Sequence, residues 1–174
     1  LDAFRFASYC GISGVTKKEE TLADGAATVA ALSAAVTAMD DEEVTATGRY
    51  LFITPTLLQG INDMDTTKSK KVLEGFEQVI KVPQRRFYTA IKQLSGKTGE
   101  EAGGYTKATG AANINFAIVQ KDALIQYTKH AAPKIIAPEN NPDADAYVFG
   151  YRMVGIAKAY KNMLSGMYFS HDKA

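Results

Sequence analysis

The chain has 174 residues, 46% of them hydrophobic, with 20 Lys and Arg against 19 Asp and Glu. That length and apolar content suit one large domain with a packed core and exclude a disordered segment. The net charge of +1 leaves no overall field to hold nucleic acid or an anionic membrane. The single cysteine, Cys10, cannot form an internal disulfide, and with no glycosylation sequon present the sequence points to a reducing cytosol. Apolar runs are only a few residues long, far short of the ~20 needed to span a bilayer, and no charged-then-apolar leader opens the chain. The sequence therefore reads as that of a soluble protein. Leu1 stands where a Met would begin a complete chain, and the residues after it read as the middle of a helix cut from something longer.

In chain order, Phe4, Phe6, Ala7, Tyr9 and Cys10 suit the buried end of a helix over residues 2–10 that Gly11 and Gly14 break. After a polar segment at 16–21, Leu22, Ala26, Val29, Leu32, Val36 and Met39 recur at three and four, predicting the longest helix of the chain. Its other side, with Thr28, Ala31, Ala34 and Ala38, is poor in charge, so cover on more than one side is expected. Asp40, Asp41, Glu42 and Glu43 oppose the macrodipole at its C-terminal end and predict a stop and a solvated turn. Residues 49–54 read as a buried strand, and Thr54 followed by Pro55 as the start of a short helix ended by Gly60. A polar surface loop is expected over 62–71 and a strand over 77–82, stopped by Pro83. Five glycines in 95–112 predict an exposed loop. A buried strand follows from Ile114 to Val119, then a turn capped by Asp122 before Leu124, Ile125 and Tyr127, with interruptions at Pro133 and Pro138. Tyr147, Phe149, Tyr151 and Met153 form one face of a strand, with residues 160–168 as its expected antiparallel partner.

Strands and helices mixed in this way, with several hairpins and no repeat or linker, imply an α+β architecture. Charge is uneven along it. Residues 1–75 hold 11 acids and 7 bases, and residues 76–174 hold 8 acids and 13 bases, so the two parts carry −4 and +5. That division reads as an ordinary solvated surface or as complementary edges between identical subunits.

The chemistry-bearing residues do not gather into a site. Gly96-Lys97-Thr98 resembles the end of a phosphate loop, but the Gly required five positions before Gly96 is Ile91. His130 and His171, the only histidines, have no partner at metal-ligand spacing. Cys10, on an apolar helix face without a nearby His, reads as a core residue. Glu139, Asp143 and Asp145, among Pro138 and Pro142, read as turn formers before they read as ligands for a hard cation. Arg85 and Arg86 beside Phe87 and Tyr88 make a weak nucleic-acid surface and an equally good ion-pairing edge. No catalytic, cofactor-binding or metal-binding residue is assigned.

Read in order, several segments resemble the second half of a tailed-bacteriophage (prophage) major capsid protein. They are Leu1-Asp-Ala-Phe-Arg-Phe-Ala7, Glu20-Thr-Leu-Ala23 before the Ala-rich helix, and Gly48-Arg-Tyr-Leu-Phe-Ile-Thr-Pro55. Then come Arg86-Phe-Tyr-Thr89, the loop with Gly103-Gly104, Ile114-Asn-Phe116, Lys129-His130, the segment 133–145, Phe149-Gly-Tyr-Arg152 and Gly166-Met-Tyr168. The resemblance implies the Hong Kong phage-type capsid fold, without an active site, cofactor or metal. Its axial domain has a central mixed sheet flanked by helices, and its peripheral domain has a spine helix and long antiparallel strands. Residues 1–14 are then expected to be the end of the spine helix, 15–136 mostly axial domain, and 137–174 the return to the peripheral sheet. The family's N-terminal arm, extended loop and most of its spine helix have no counterpart here. The implied role is a coat subunit of an icosahedral shell, found in the virion capsid and, before assembly, in the bacterial host cytoplasm. Its implied partners are its own copies in hexamers and pentamers, scaffold and portal proteins, and packaged DNA held without specificity, with no membrane. The competing expectation is a small-ligand or nucleotide-binding domain of a prophage or bacterial enzyme, resting on the Gly-rich loop.

Overall fold

A computed structural model describes the whole chain except Asp65, Asp143 and Ala174. In chain order it contains α1 (Asp2–Cys10), β1 (Thr16–Glu19), α2 (Gly25–Asp41), β2 (Arg49–Ile53), α3 (Pro55–Asp63), α4 (Thr67–Glu74) and β3 (Gln78–Lys81). These are followed by β4 (Ile91–Gln93), β5 (Tyr105–Lys107), β6 (Ile114–Gln120), β7 (Leu124–Ile136), β8 (Val148–Ala159) and β9 (Met167–His171).

A five-stranded sheet in the order β1-β9-β6-β2-β3 organises the core. β6 runs antiparallel to both β9 and β2, whereas β1 is parallel to β9 and β3 is parallel to β2. Every residue of β6 is buried, because its side chains alternate between two cores. Phe116 and Ile118 meet Leu51, Ile53 and Tyr168 on the side of α2, α3 and α4. Ala117 and Val119 meet Met167, Phe169 and Cys10 on the side of α1. A strand covered on both faces shows a continuous apolar run, the feature that marks it in the sequence.

Helix α2 is the longest at 17 residues and starts three positions later than its apolar pattern suggests. Asp24 sets the start, its side chain accepting from the Ala27 N–H at 2.7 Å. Val29, Leu32, Ala35 and Met39 are buried and Val36 half-buried; Thr28 and Ala31 are also covered, whereas Ala34 is exposed. Gly60 does not end the next helix, since α3 continues to Asp63. Its glycine serves a close crossing instead: a Cβ on Gly25, in the first turn of α2, would lie 2.2 Å from the Gly60 carbonyl oxygen. Thr54 is extended before Pro55, as a cap should be, but its hydroxyl makes no capping bond.

The expected surface loop at 62–71 is replaced in its second half by α4. A reciprocal capping box between Thr66 and Ser69 starts that helix, and its exposed, Lys-rich sequence conceals it from periodicity. The polar segment after Gly14 is strand β1, whose four residues are all exposed on the sheet edge. Part of the expected loop at 95–112 is strand β5, hairpinned to β4.

The largest correction concerns the strand that carries Phe149 and Tyr151. Its partner is β7, in a two-stranded antiparallel ribbon, and not residues 160–168. Lys161–Gly166 form 3-10 turns, and β9 then enters the five-stranded sheet. Pro133 does not interrupt β7; it pairs with Tyr151 within the ribbon. A two-stranded ribbon turns alternate N–H groups outward, so a residue without one is tolerated there. The expected boundary at 136/137 thus falls at the far end of β7, with its partner β8 on the other side.

Candidate functional site

The structure leaves the chemistry-bearing residues apart. Residues 94–104 link β4 and β5 as a hairpin, whereas a phosphate loop needs a strand before it and a helix after it. Gly96 and Gly99 adopt φ of 71° and 85° with open space around them. The loop is tied by Glu100, which accepts from Lys92 Nζ and the Ser95 N–H, each at 2.7 Å. These bonds hold its carboxyl at about 2.

His130 lies exposed on β7, opposite Val154. His171 ends β9, with Nδ1 2.7 Å from the Asp172 carbonyl oxygen. Among the described residues no group of His, Cys, Asp and Glu is arranged to hold a metal ion. Glu139 and Asp145 are in the tip segment between β7 and β8, and the third acid expected with them, Asp143, lies outside the described residues. Cys10 is buried, and burial raises its thiol pKa, so it is protonated at neutral pH.

Arg85 and Arg86 are both exposed, and each is tied to a neighbouring element. Arg86 Nη1 lies 3.5 Å from Asp2 Oδ2 on α1, and the Tyr105 hydroxyl donates to the Arg85 carbonyl at 3.0 Å. Phe87 is fully buried, edge-on to Phe6 with centroids 4.7 Å apart, and Tyr88 lies under the Lys107 ammonium.

Two surface features remain. A half-open cleft of about 300 Å³ lies between α1, β3 and the start of β7, walled by Phe6, Phe52, Ile80 and Leu124. Arg5 at this cleft is engaged by Asp2, 3.9 Å away, and by the Gln126 carboxamide oxygen, which accepts from Nη2 at 3.0 Å. Tyr9 lines it as well; its pKa is raised by burial, and its hydroxyl has no hydrogen-bond partner among the described residues. The cleft has an apolar wall, and at its rim Asp2 faces both Arg5 and Arg86. The second feature is the β7–β8 ribbon, where large apolar side chains stand in solvent. Ile135, Tyr151 and Phe149 are 66%, 69% and 75% exposed, and Tyr147 stacks on Phe149 with centroids 6.2 Å apart. The alternation of Tyr147, Phe149, Tyr151 and Met153 is visible in the sequence, but the openness of their face is not, because it depends on β7 and not residues 160–168 being the partner strand.

No family model and no curated protein matches the chain by sequence. By structure it is similar to a chain from Mycobacterium phage Che8, with a TM-score of 0.60 and 9% identity over 97% of this chain and 56% of that one. It is also similar to a chain in the capsid structure of cyanophage P-SCSP1u, with a TM-score of 0.54 and 17% identity over 98% of this chain and 59% of that one. The chain therefore has a fold found in phage capsids, and it spans somewhat over half the length of these neighbours. Among the described residues no helix is long and apolar enough to cross a membrane.

Proposed function

We propose that this chain is part of the major capsid protein of a tailed bacteriophage or prophage, a structural and non-enzymatic subunit that assembles with its own copies into an icosahedral shell. The observation that carries this reading is the likeness of fold to a cyanophage capsid chain along 98% of the present one. The order of segments set out above supports it independently. On this reading the five-stranded sheet with α2, α3 and α4 is the axial domain, and α1 with the β7–β8 ribbon belongs to the peripheral domain. Strand β9 is assigned to the axial sheet, not to the peripheral return, because it pairs with β6 and β1. Hexamers and pentamers of the chain are then the units of the shell, scaffold and portal proteins are further partners, and packaged DNA is touched without sequence preference. The protein would pass from the host cytoplasm into the virion.

Shell subunits close by symmetry through many modest contacts. Light scattering on a sizing column is expected to show monomers and small rings whose weak association falls as salt rises. A tight, salt-insensitive dimer with a large apolar interface would overturn the reading.

A further inference from the structure

The cleft beside α1 lies where one face of the sheet runs out of cover. On the face under α1, Ala117, Val119, Met167 and Phe169 of β6 and β9 are buried, whereas Phe52 of β2 and its registered neighbour Ile80 of β3 are only half-buried. Leu51 and Ile53, on the other face, are fully buried on the side of α2, α3 and α4. The uncovered end is walled further by Phe6 and by Leu124 at the root of β7, which leaves the half-open space of about 300 Å³. Phe6 stands edge-on to Phe52, with centroids 5.2 Å apart and planes at 72°, so two aromatic rings take part in the wall.

Most polar groups of the cleft belong to one stripe of α1. Asp2, Arg5, Phe6 and Tyr9 recur at three and four and so share a face. Helical side chains lean back toward the N-terminus, which brings Tyr9 over the turn that carries Arg5, and the Arg5 guanidinium acts on the Tyr9 hydroxyl as a positive charge. Tyr9 is 5% exposed, and its hydroxyl is buried without a hydrogen-bond partner among the described residues. A buried hydroxyl left unpaired is costly, so it is a donor that a bound acceptor would satisfy. The rim is positive. Arg5, Lys81 and Arg86 stand against the single carboxylate of Asp2, which is 3.9 Å from Arg5 and 3.5 Å from Arg86. Lys81 is exposed and has no ion pair among the described residues. Gln126 accepts from Arg5 and adds no charge.

We propose that the cleft binds a small aryl carboxylate, its ring against Phe6, Phe52, Ile80 and Leu124 and its carboxylate on the Tyr9 hydroxyl and the guanidinium groups of Arg5 and Arg86. Each part of the ligand answers one observation. A ring is a compact apolar body that meets aromatic side chains edge-on or offset, and about 300 Å³ is at the small end of ligand cavities. A negative head matches the three cations that face one acid at the rim. Being an acceptor only, a carboxylate can receive the Tyr9 O–H, which an ammonium head cannot. Each arginine has five N–H donors, so Arg5 and Arg86 can serve the ligand while still meeting Asp2. The inference is independent of the shell reading and adds a ligand site to the chain.

The test is a proton–nitrogen NMR titration of the 174-residue chain with 1-naphthylacetate, and with its neutral amide for comparison. The acid should shift the backbone signals of Arg5, Phe6, Tyr9, Phe52 and Ile80 and should bind about tenfold more tightly than the amide. Tyr9→Phe should weaken binding of the acid about tenfold and melt no lower than the parent, since only an unpaired hydroxyl is lost. Arg86→Gln, at an exposed position, should weaken the acid about threefold and leave the amide unchanged. Asp2→Asn should tighten the acid about threefold, because a competing carboxylate is gone. The proposal is overturned if no signal moves up to the solubility limit of the acid, or if the shifts centre on the ribbon residues Tyr147, Phe149 and Tyr151. It is overturned as well by an amide that binds as tightly as the acid, or by an affinity that neither Tyr9→Phe nor Arg86→Gln changes. None of these results bears on the shell reading, which stands or falls with assembly.

Discussion

Arg49 is almost wholly buried at the start of β2 and places Nη2 2.6 Å from Oδ1 of the half-exposed Asp40 on α2. The same guanidinium donates to the carbonyls of Val44 and Thr45, so one side chain closes the turn between α2 and β2. The partners differ in what replaces them when lost. Water can reach the site of Asp40, whereas the two carbonyls lose their donor if the arginine goes. Asp40→Asn is expected to cost about 1 kcal/mol and Arg49→Met about 2 to 3 kcal/mol, measured by urea denaturation. The reverse order would mean that the ion pair, and not the carbonyl bonds, holds the turn.

Gly25 and Gly60 face each other where α2 and α3 cross, but the two positions are not equivalent. A Cβ on Gly25 would meet Gly60 backbone at 2.2 Å, while a Cβ on Gly60 would find its nearest neighbour at 3.5 Å, an ordinary contact. Gly25→Ala should therefore destabilise by about 1 to 3 kcal/mol through overpacking. Gly60→Ala should stabilise by about 0.5 to 1 kcal/mol through helix propensity. Thermal melts of the two variants check the opposite signs.

The carboxyl of Glu100 is held at about 2, below its ordinary 4.5, first by the Lys92 ammonium and then by the Ser95 N–H. A folded pKa below the unfolded one means that the tie is fully present above about pH 4.5 and is lost as pH falls toward 2. Glu100 is half-buried in a surface hairpin, so the effect belongs to the order of the 94–104 loop and not to the whole fold. Carbon-detected NMR titration should find its midpoint near 2 and should find it moved upward in Lys92→Ala. An unchanged midpoint in that variant would show that the backbone alone positions the carboxylate.

What could be read in the sequence depends on how each element is buried. The Ala-rich period of α2 and the unbroken apolar run of β6 are covered by the core and carry strong patterns. Strand β1 and helix α4 are exposed and polar, and they are set by a neighbour at the sheet edge and by a capping box, which hydrophobic periodicity does not see. The pairing of β8 with β7 was illegible for a different reason. It is a choice among partners, and Pro133 counts against a strand only where its N–H would be needed. The exposed ribbon face is illegible for the same reason, since the alternation of Phe149 and Tyr151 defines a face but does not say whether anything covers it.

The central claim is that this chain builds a shell. Its most direct test is electron microscopy of the product of the open reading frame that contains these 174 residues, expressed and purified by sedimentation. Closed particles of uniform size are expected, with a reconstruction that places the β1-β9-β6-β2-β3 sheet around the five-fold and six-fold axes. A product that sediments only as monomers or discrete dimers under all assembly conditions, or particles whose density does not accommodate this sheet, would contradict it.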